Sequence, residues 1–328
     1  MATVTQHNGK RFSLYQGDCC QVMPDVPDAC VDFSVFSPPF VDLFTYSDNP
    51  ADMGNAMGYD NFFEQLTFLI DHLRRVVKPG RIVAVHCIDL PAMKERDGYI
   101  GLKDFSGDLI RAFIARGFIY HSRHTIWKCP LIEAVRTKAI GLMHKQLCKD
   151  SIMSRAGLPD YLLAFRNGQG NEIAIDHPDG LTDYYGKEKS DPRVEVDNDD
   201  SIPFEMKPVK KSHNIWRAYA SPVWMDIRQG NVLKVRSARG AEDEKHLCPL
   251  QLDTIARALT LWSNPNDVVL TPFAGVGSEV YQAVKMGRRA MGIELKDTYY
   301  NQAVLNCQDA ETEYLEENPE FVRRRRGA

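Results

Sequence analysis

The chain lacks the long apolar run that a membrane-spanning helix requires. Its apolar runs, such as residues 82–85 and 268–270, fall far short of the ~20 residues needed to cross a bilayer. Residues 1–11 carry His, Gln, Asn and Lys where a secretory signal has an apolar core. We therefore expect a cytoplasmic protein without an export segment or a membrane partner.

Paired cysteines and a strong charge bias are also missing. The 8 cysteines include no CxxC pair, and no histidine cluster shows zinc spacing, so we predict no metal site and reduced thiols that are mostly buried. A formal net charge of -4 argues against a protein that coats nucleic acid through its bulk charge, although it allows a local basic face. The 328 residues are 44% hydrophobic and 26% charged, which is typical of a globular chain.

Apolar runs of strand length alternate with helical periodicity through most of the chain. The near-continuous apolar character of the strands indicates a mostly parallel sheet with helices on both faces, which is the α/β doubly wound class. The predicted strands are 11–16, 31–36, 81–87, 118–127, 161–165, 268–270 and 290–293. The predicted helices are 63–77, 109–116, 250–262 and 279–286.

Residues 167–244 interrupt this alternation. Gly, Asp, Asn, Pro and Lys dominate there, and we expect no long helix. An acidic part, 188–200, precedes a part rich in Lys and Arg that extends from 207 to 239. This region is an insert or a small second unit, and its charge runs are compatible either with plain solvated surface or with a binding face.

A loop that contains two glycines, residues 271–278 and called the glycine loop below, lies between a strand and a helix near the C-terminus. A further strand follows and ends at Glu294, 19 positions after Gly275. This order places a ligand at the carboxyl edge of a parallel sheet, with the terminal carboxylate suited to ribose hydroxyls. Val280 stands where a dinucleotide fingerprint has its third glycine, which disfavours NAD and FAD. A purely structural tight turn remains the alternative.

The position of this loop predicts a permuted sheet. One clear strand follows it, yet a doubly wound sheet needs several strands beyond the switch point. The missing strands must come from the N-terminal half. We therefore expect the strand that ends at Glu294 to lie beside the strand that precedes Asp18.

Several motifs follow one another in the order typical of one enzyme family. The chain resembles the S-adenosylmethionine-dependent DNA amino-methyltransferases of the permuted beta group, which methylate adenine N6 or cytosine N4. The resemblance covers roughly 1–165 and 220–310. It rests on Gly17-Asp18-Cys19, Ser37-Pro38-Pro39-Phe40, Lys78-Pro79-Gly80-Arg81, Trp127-Lys128-Cys129-Pro130, Val223-Trp224, the segment from Lys245 to Leu250, Phe273-Ala274-Gly275-Val276-Gly277-Ser278 and Gly287-Arg288-Arg289.

The resemblance implies a catalytic role for Ser37, Pro38, Pro39 and Phe40. The Ser37 side chain and the Pro38 carbonyl would accept the protons of the target amine, while Phe40 would stack on a base flipped out of double-stranded DNA. A cytosine-C5 mechanism usually needs a Pro-Cys pair, which the chain lacks. Direct transfer to an amine needs no strong base, so we interpret His86 as a polar residue with a structural partner.

The same resemblance implies where S-adenosylmethionine would bind. Its methionine end would lie against the glycine loop, Glu294 would hold the ribose, and Asp18 would lie near the adenine ring. Pro249 would complete the methionine side. Thr271 stands where the family often has Asp, and His246-Leu247-Cys248-Pro249 replaces a common His-Pro-Thr-Gln-Lys-Pro. The loop residues implied in cofactor binding are Thr271, Pro272, Phe273, Ala274, Gly275, Gly277 and Ser278.

The predicted organisation has four parts. Residues 1–166 form the catalytic half, 167–244 a target-recognition region or else an oligomerisation insert, 245–310 the cofactor half and 311–328 a basic tail. By the same resemblance, Ser37 at the first position of Ser37-Pro38-Pro39-Phe40 favours cytosine N4 over adenine N6 as the target. Residues 41–60 would form a lid over the flipped base. An RNA-base or glutamine methyltransferase and a non-catalytic DNA-binding relative remain alternatives. The sequence leaves open a monomer or homodimer and a restriction endonuclease partner.

Overall fold

The structure is a computed structural model that describes residues 5–41, 53–55, 58–92, 94–137, 140–187, 201–233 and 249–319. Its helices are α1 (Cys19–Val22), α2 (Tyr59–Val76), α3 (Lys94–Asp97), α4 (Phe105–Ala115), α5 (Pro130–Thr137), α6 (His144–Lys149), α7 (Lys207–Tyr219), α8 (Leu252–Trp262), α9 (Ser278–Lys285) and α10 (Asp297–Glu317). Its strands are β1 (Thr5–Asn8), β2 (Phe12–Gln16), β3 (Val31–Phe36), β4 (Val77–Cys87), β5 (Leu90–Ala92), β6 (Gly101–Lys103), β7 (Ile119–Ile126), β8 (Asp160–Arg166), β9 (Val223–Trp224), β10 (Val268–Thr271) and β11 (Arg289–Glu294). None of these helices combines the length and the apolar character needed to cross a membrane.

Nine of the described strands form one sheet in the order β1-β2-β11-β10-β3-β4-β8-β7-β9. The five strands from β2 to β4 run parallel to one another, while β1 is antiparallel to β2. Strand β8 is antiparallel to both β4 and β7, while β9 is parallel to β7. The predicted α/β class with a mostly parallel sheet is therefore confirmed.

A strand from the N-terminal part of the chain and one from the C-terminal part are neighbours inside the sheet. Strand β11 pairs in parallel with β2, with Gly292 opposite Leu14 and Glu294 opposite Gln16. The Gly17 amide donates a hydrogen bond to the Glu294 carbonyl over 2.9 Å. The predicted neighbourhood of these two strands is confirmed, and the sheet is circularly permuted as the strand count required.

Helices cover both faces of the sheet. Side chains of β4 alternate: Val83 and Val85 belong to a core with α1, α2 and α4, while Ile82 and Ala84 belong to a second core with α8, α9 and α10. This alternation follows from the two-residue period of a strand. The apolar positions of α2 recur at helical spacing and are buried.

Contacts of Asp32 join three strands at the edge of the sheet where its parallel strands begin. Asp32, near the start of β3, lies 2.6 Å from Lys78 Nζ and 3.6 Å from Arg81 Nη2 at the start of β4. Its second oxygen accepts a hydrogen bond from the Val268 amide at the start of β10, over 2.9 Å. One carboxylate thus joins three adjacent strands at the end of the sheet opposite the glycine loop.

Strand β4 begins earlier than the sequence predicts. The turn at Lys78-Pro79-Gly80 was expected to separate helix and strand, but β4 starts at Val77, directly after α2. The pairing with β3 skips from Val77 to Ile82, so Pro79 lies in a bulge where its missing amide costs no ladder bond. Gly80 has φ +79 there, a conformation that favours glycine.

The region 167–244 contains a helix that the sequence did not predict. Helix α7 has 13 residues, and its buried side chains include Ile215, Ala218 and Tyr219, which pack with Leu181 in a small separate cluster. The expectation of no long helix there is wrong. Its buried side chains lie in the C-terminal half of the helix, so most of the segment reads as polar.

Helix α10 continues to Glu317, past the predicted limit of 310, because Ala310 and Tyr314 extend its buried face. The Arg-rich end, 323–326, lies outside the described residues. So do most of the predicted lid, 42–52, the last part of the predicted target-recognition region, 234–244, and the first residues of the predicted cofactor half, 245–248. Tyr59, at the end of the predicted lid, forms the first turn of α2.

Replacing Arg257 with alanine should strongly destabilise the protein. This fully buried side chain of α8 lies 2.6 Å from Asp226 and donates to the Tyr185 carbonyl, so it ties the insert to α8. Removing one partner of a buried ion pair costs about 3–5 kcal/mol, and we expect that loss in the free energy of unfolding measured with urea. Arg111→Ala, which breaks an exposed network with Asp104 and Asp108, should leave the midpoint unchanged.

Glu279 should make the protein less stable as the pH rises. Burial, and to a lesser degree the charge of Glu294, raises the pKa of this carboxyl from 4.5 to about 8. Between these values the unfolded chain binds fewer protons than the folded one, so stability falls by up to about 1.4 kcal/mol per pH unit. Glu279→Gln should unfold at a higher urea concentration than the parent at pH 8 and not at pH 5; equal differences at both would contradict this.

Candidate active site

Two loops meet at the carboxyl edge of the sheet. Strand β3 ends before Ser37-Pro38-Pro39-Phe40, and β10 ends before the glycine loop. The two strands are adjacent and parallel, so both loops leave the same edge. The Phe36 and Phe273 rings are 5.8 Å apart at this point. The structure thus brings the proline turn, residues 37–40, and the glycine loop together at one edge of the sheet.

The glycine loop is open at one position and closed at another. Gly275 has φ +54, and a Cβ built there would meet nothing within 4 Å. Gly277 has φ +87 and caps α9, and a Cβ there would lie 3.1 Å from both Ala303 Cβ and Cys307 Sγ of α10. The first glycine leaves space for a ligand, whereas the second lets the helices pack closely.

Glu294 fixes the loop from the end of β11. Its Oε2 accepts the Gly275 amide over 2.7 Å, and its Oε1 accepts the Lys296 amide over 2.8 Å. Asp18, after β2, accepts the Cys20 amide over 2.9 Å and so caps the short helix α1. Parallel pairing of β2 and β11 places both carboxylates at the edge that carries the glycine loop.

The remaining loop residues surround this opening. Ala274 is buried and its amide bonds to the Ile293 carbonyl over 2.8 Å, while Phe273 packs on the core behind it. Thr271 Oγ1 and Ser278 Oγ are buried and have no hydrogen-bond partner among the described residues. Such groups are costly unless a ligand or water satisfies them. Pro272 follows β10, and Pro249 is half-buried just before α8.

In the proline turn, two buried residues lie between two half-buried ones. Pro38 and Pro39 are buried, whereas Ser37 and Phe40 are only half-buried. The Phe40 ring lies edge-on to Phe105, with centroids 6.4 Å apart. Two rigid residues without amide donors thus hold a hydroxyl and an aromatic ring at the surface of the edge.

Behind Ser37 lies a chain of polar groups that the sequence did not reveal. Ser37 Oγ is 2.9 Å from Nδ1 of His86, at the end of β4. His86 Nε2 lies 3.3 Å from Asp160 Oδ2, within ion-pair distance though not aligned for a hydrogen bond. Lys128 forms an ion pair with the other oxygen of Asp160. His86 has the structural partner we expected, and that partner is the predicted catalytic serine.

Asp160 carries the negative charge of this chain of groups. Its burial alone would raise its pKa, but the neighbouring His86 and Lys128 outweigh that effect and hold the pKa below its usual value. Asp160 reaches the carboxyl edge because β8 is antiparallel and begins there. No sequence spacing reports that, although Lys128 stands in one of the quoted motifs.

Two solved structures have a fold similar to that of this chain. The crystal structure of TTHA0409 from Thermus thermophilus, described as a candidate DNA modification methylase complexed with S-adenosyl-L-methionine, aligns with a TM-score of 0.58 at 20% identity. The alignment covers 92% of this chain and 96% of that one. The PvuII DNA methyltransferase, described as cytosine-N4-specific, aligns with a TM-score of 0.59 at 14% identity over 94% of each chain.

A curated sequence relative and a family model match the chain directly. The type II methyltransferase M1.MboII of Moraxella bovis is 43% identical over 63 residues, which is 19% of this chain and only 24% of that relative. The family model for N6/N4 methyltransferases, described as DNA methylase, matches residues 31–305 and so spans both loops of the site. The chain therefore belongs to the N6/N4 DNA methylase family.

Proposed function

We propose that the protein is a site-specific DNA methyltransferase that transfers a methyl group from S-adenosylmethionine to the exocyclic amine of a flipped base, with cytosine N4 favoured over adenine N6. The observation that carries this proposal is the adjacency of the Ser37 turn and the glycine loop on neighbouring parallel strands. A methyl donor in one loop and a base against the other would be in reach of each other.

The residues around the glycine loop fit the cofactor. A carboxylate held by two backbone amides, as Glu294 is, is preorganised to accept ribose hydroxyls. The open space at Gly275 suits close approach of a ligand. The buried hydroxyls of Thr271 and Ser278 are available for its polar atoms. When bound, S-adenosylmethionine supplies an electrophilic methyl group on a sulfonium.

The proline turn fits the base. An exocyclic amine delocalises its lone pair into the ring, so the protein must supply acceptors that make the nitrogen more amine-like. Ser37 Oγ and the Pro38 carbonyl would each accept a hydrogen bond from one of its two N–H groups. The half-buried Phe40 would stack on the base, worth about 1–3 kcal/mol toward the few kcal/mol that flipping costs.

A basic connection supports double-stranded DNA as the partner. Strand β7 is parallel to β4 through the shared neighbour β8, so the connection 127–159 leaves the same edge as Ser37. Lysine and arginine outnumber acidic residues there, and those that are not paired inside the protein, as Lys128 is with Asp160, would contact phosphates. The basic residues are Lys128, Arg136, Lys138, Lys145, Lys149 and Arg155, and the acidic ones are Glu133 and Asp150.

Target recognition is proposed for 167–244, between the catalytic half, 1–166, and the cofactor half, 245–310. The first turns of α7 support this, because Lys207, Lys210 and Lys211 lie there and no acidic residue does. Lysines contact phosphates, which fix the register of a protein on DNA.

The cofactor role of Glu294 is tested by binding to the free protein. Glu294→Ala should weaken S-adenosylmethionine binding by about 30-fold or more, because it removes a charged acceptor of the kind worth up to about 3 kcal/mol per hydrogen bond. Isothermal titration calorimetry measures this dissociation constant. Glu313→Ala, at an exposed carboxylate of α10 paired with Lys285, is the control and should bind as the parent does. Equal affinity in both variants would remove Glu294 from the site.

The reaction is tested by transfer of a labelled methyl group to DNA and by nucleoside analysis. We expect N4-methylcytosine in digests of DNA from cells that express the protein. Ser37→Ala should lower kcat by about 100-fold, as loss of one preorganised hydrogen-bonding group at a reacting atom does, with unchanged cofactor affinity. Exclusive N6-methyladenine would overturn the cytosine assignment, and no transfer to any DNA would overturn the enzyme.

A further inference from the structure

We propose that His86, supported by Asp160 and Lys128, orients the Ser37 hydroxyl so that its lone pairs face the target amine, and that His86 receives the proton released by the reaction. This inference rests on the proposed function and adds positioning residues to it. The observation behind it is a row of contacts between four side chains. The half-exposed Ser37 contacts His86, and His86 lies next to Asp160 at the start of β8. Lys128 pairs with the far side of Asp160.

A serine hydroxyl is ambiguous by itself, because it can donate or accept. To accept a proton from an amine, Ser37 must point its own hydrogen elsewhere. His86 Nδ1, 2.9 Å from Ser37 Oγ, is placed to take that hydrogen bond when this nitrogen carries no proton. The Oγ lone pairs are then left for the substrate.

The carboxylate behind His86 selects this tautomer. Asp160 Oδ2 faces Nε2 at 3.3 Å, which favours a proton on Nε2 and leaves Nδ1 free to accept. Both side chains are buried, at 7% and 1% exposure, so water competes little for either nitrogen. The contact between Nε2 and Asp160 thus orients the ring so that Nδ1 faces Ser37.

Lys128 shares the carboxylate of Asp160 with His86. A buried carboxylate next to one imidazole would favour the charged imidazolium, which has no acceptor nitrogen. Lys128 pairs with the other oxygen of Asp160 and offsets part of its charge, so this carboxylate attracts His86 less strongly than an unpaired one would.

The same contacts give the released proton a path. As the amine nitrogen forms its bond to the methyl carbon, the bond from that carbon to the donor sulfur breaks and leaves its electron pair on sulfur. The positively charged nitrogen then loses one proton to Ser37 Oγ, and Ser37 passes its own proton to His86 Nδ1. Ser37 ends neutral and His86 ends as an imidazolium beside the Asp160 carboxylate.

Two substitutions of His86 separate acceptor geometry from packing. His86→Leu removes both nitrogens, while the Oδ1 of His86→Asn can occupy the position of Nδ1. We expect kcat to fall about 10- to 100-fold in His86→Leu and to recover only in part in His86→Asn, which restores an acceptor for the Ser37 hydroxyl but cannot take up the released proton, with KM for DNA and for S-adenosylmethionine within about 2-fold of the parent. His72→Leu on α2 is the matched control and should leave kcat unchanged.

A double-mutant cycle tests whether His86 acts through Ser37. If it does, Ser37→Ala with His86→Leu should be no slower than Ser37→Ala alone, because the second change removes the partner of a group already lost. Multiplied losses in the double variant would place the action of His86 elsewhere. Parental kcat in His86→Leu would overturn the proposal while leaving the methyltransferase itself intact.

The tautomer can be measured without any reaction. In the free protein with 15N-labelled histidine, the His86 signal, assigned by its loss in His86→Asn, should report a proton on Nε2, and Asp160→Asn should reduce that preference. A proton on Nδ1 would mean that His86 donates to Ser37, which would overturn the proposal even if every DNA tested proved to be no substrate.

Discussion

The parallel pairing of β3 with β10 is the constraint on which the site depends. Parallel strands end at the same edge, so the loops that follow these two strands have nowhere else to lie. The pairing is held at the opposite edge by Asp32, which joins the starts of β3, β4 and β10. One edge therefore carries structural ion pairs, and the other carries the proline turn and the glycine loop.

This arrangement explains why permutation does not affect the site. What matters is that β2, β11, β10, β3 and β4 lie side by side, and chain order does not enter that requirement. Glu294 and Gly17 are joined by a backbone hydrogen bond although they lie near opposite ends of the chain. The antiparallel strand β8 adds something the parallel ones do not, because it brings its first residue, Asp160, to the functional edge.

Polar groups at this edge are arranged in pairs inside an apolar surrounding. Glu294 is held by two amides, Asp160 by His86 and Lys128, and Ser37 by His86. A buried charge without such partners is costly, so each carboxylate is fixed in one place. Fixed acceptors are what methyl transfer to a weakly nucleophilic amine requires, because they need little reorganisation as charge develops.

The sequence by itself determined that the sheet is mostly parallel, that β2 and β11 are neighbours, and which two loops form the candidate site. The spacing of apolar residues and the positions of prolines and glycines set these features over short stretches of the chain. It missed α7, whose few buried side chains lie in its C-terminal half, and it placed the start of β4 too late, since a bulge absorbs Pro79. Only the tertiary structure decided that His86 contacts Ser37 and that Asp160 and Lys128 lie behind it. Those contacts join β3, β4, β8 and the segment after β7, and strand pairing across such separations leaves no periodic signal in the chain.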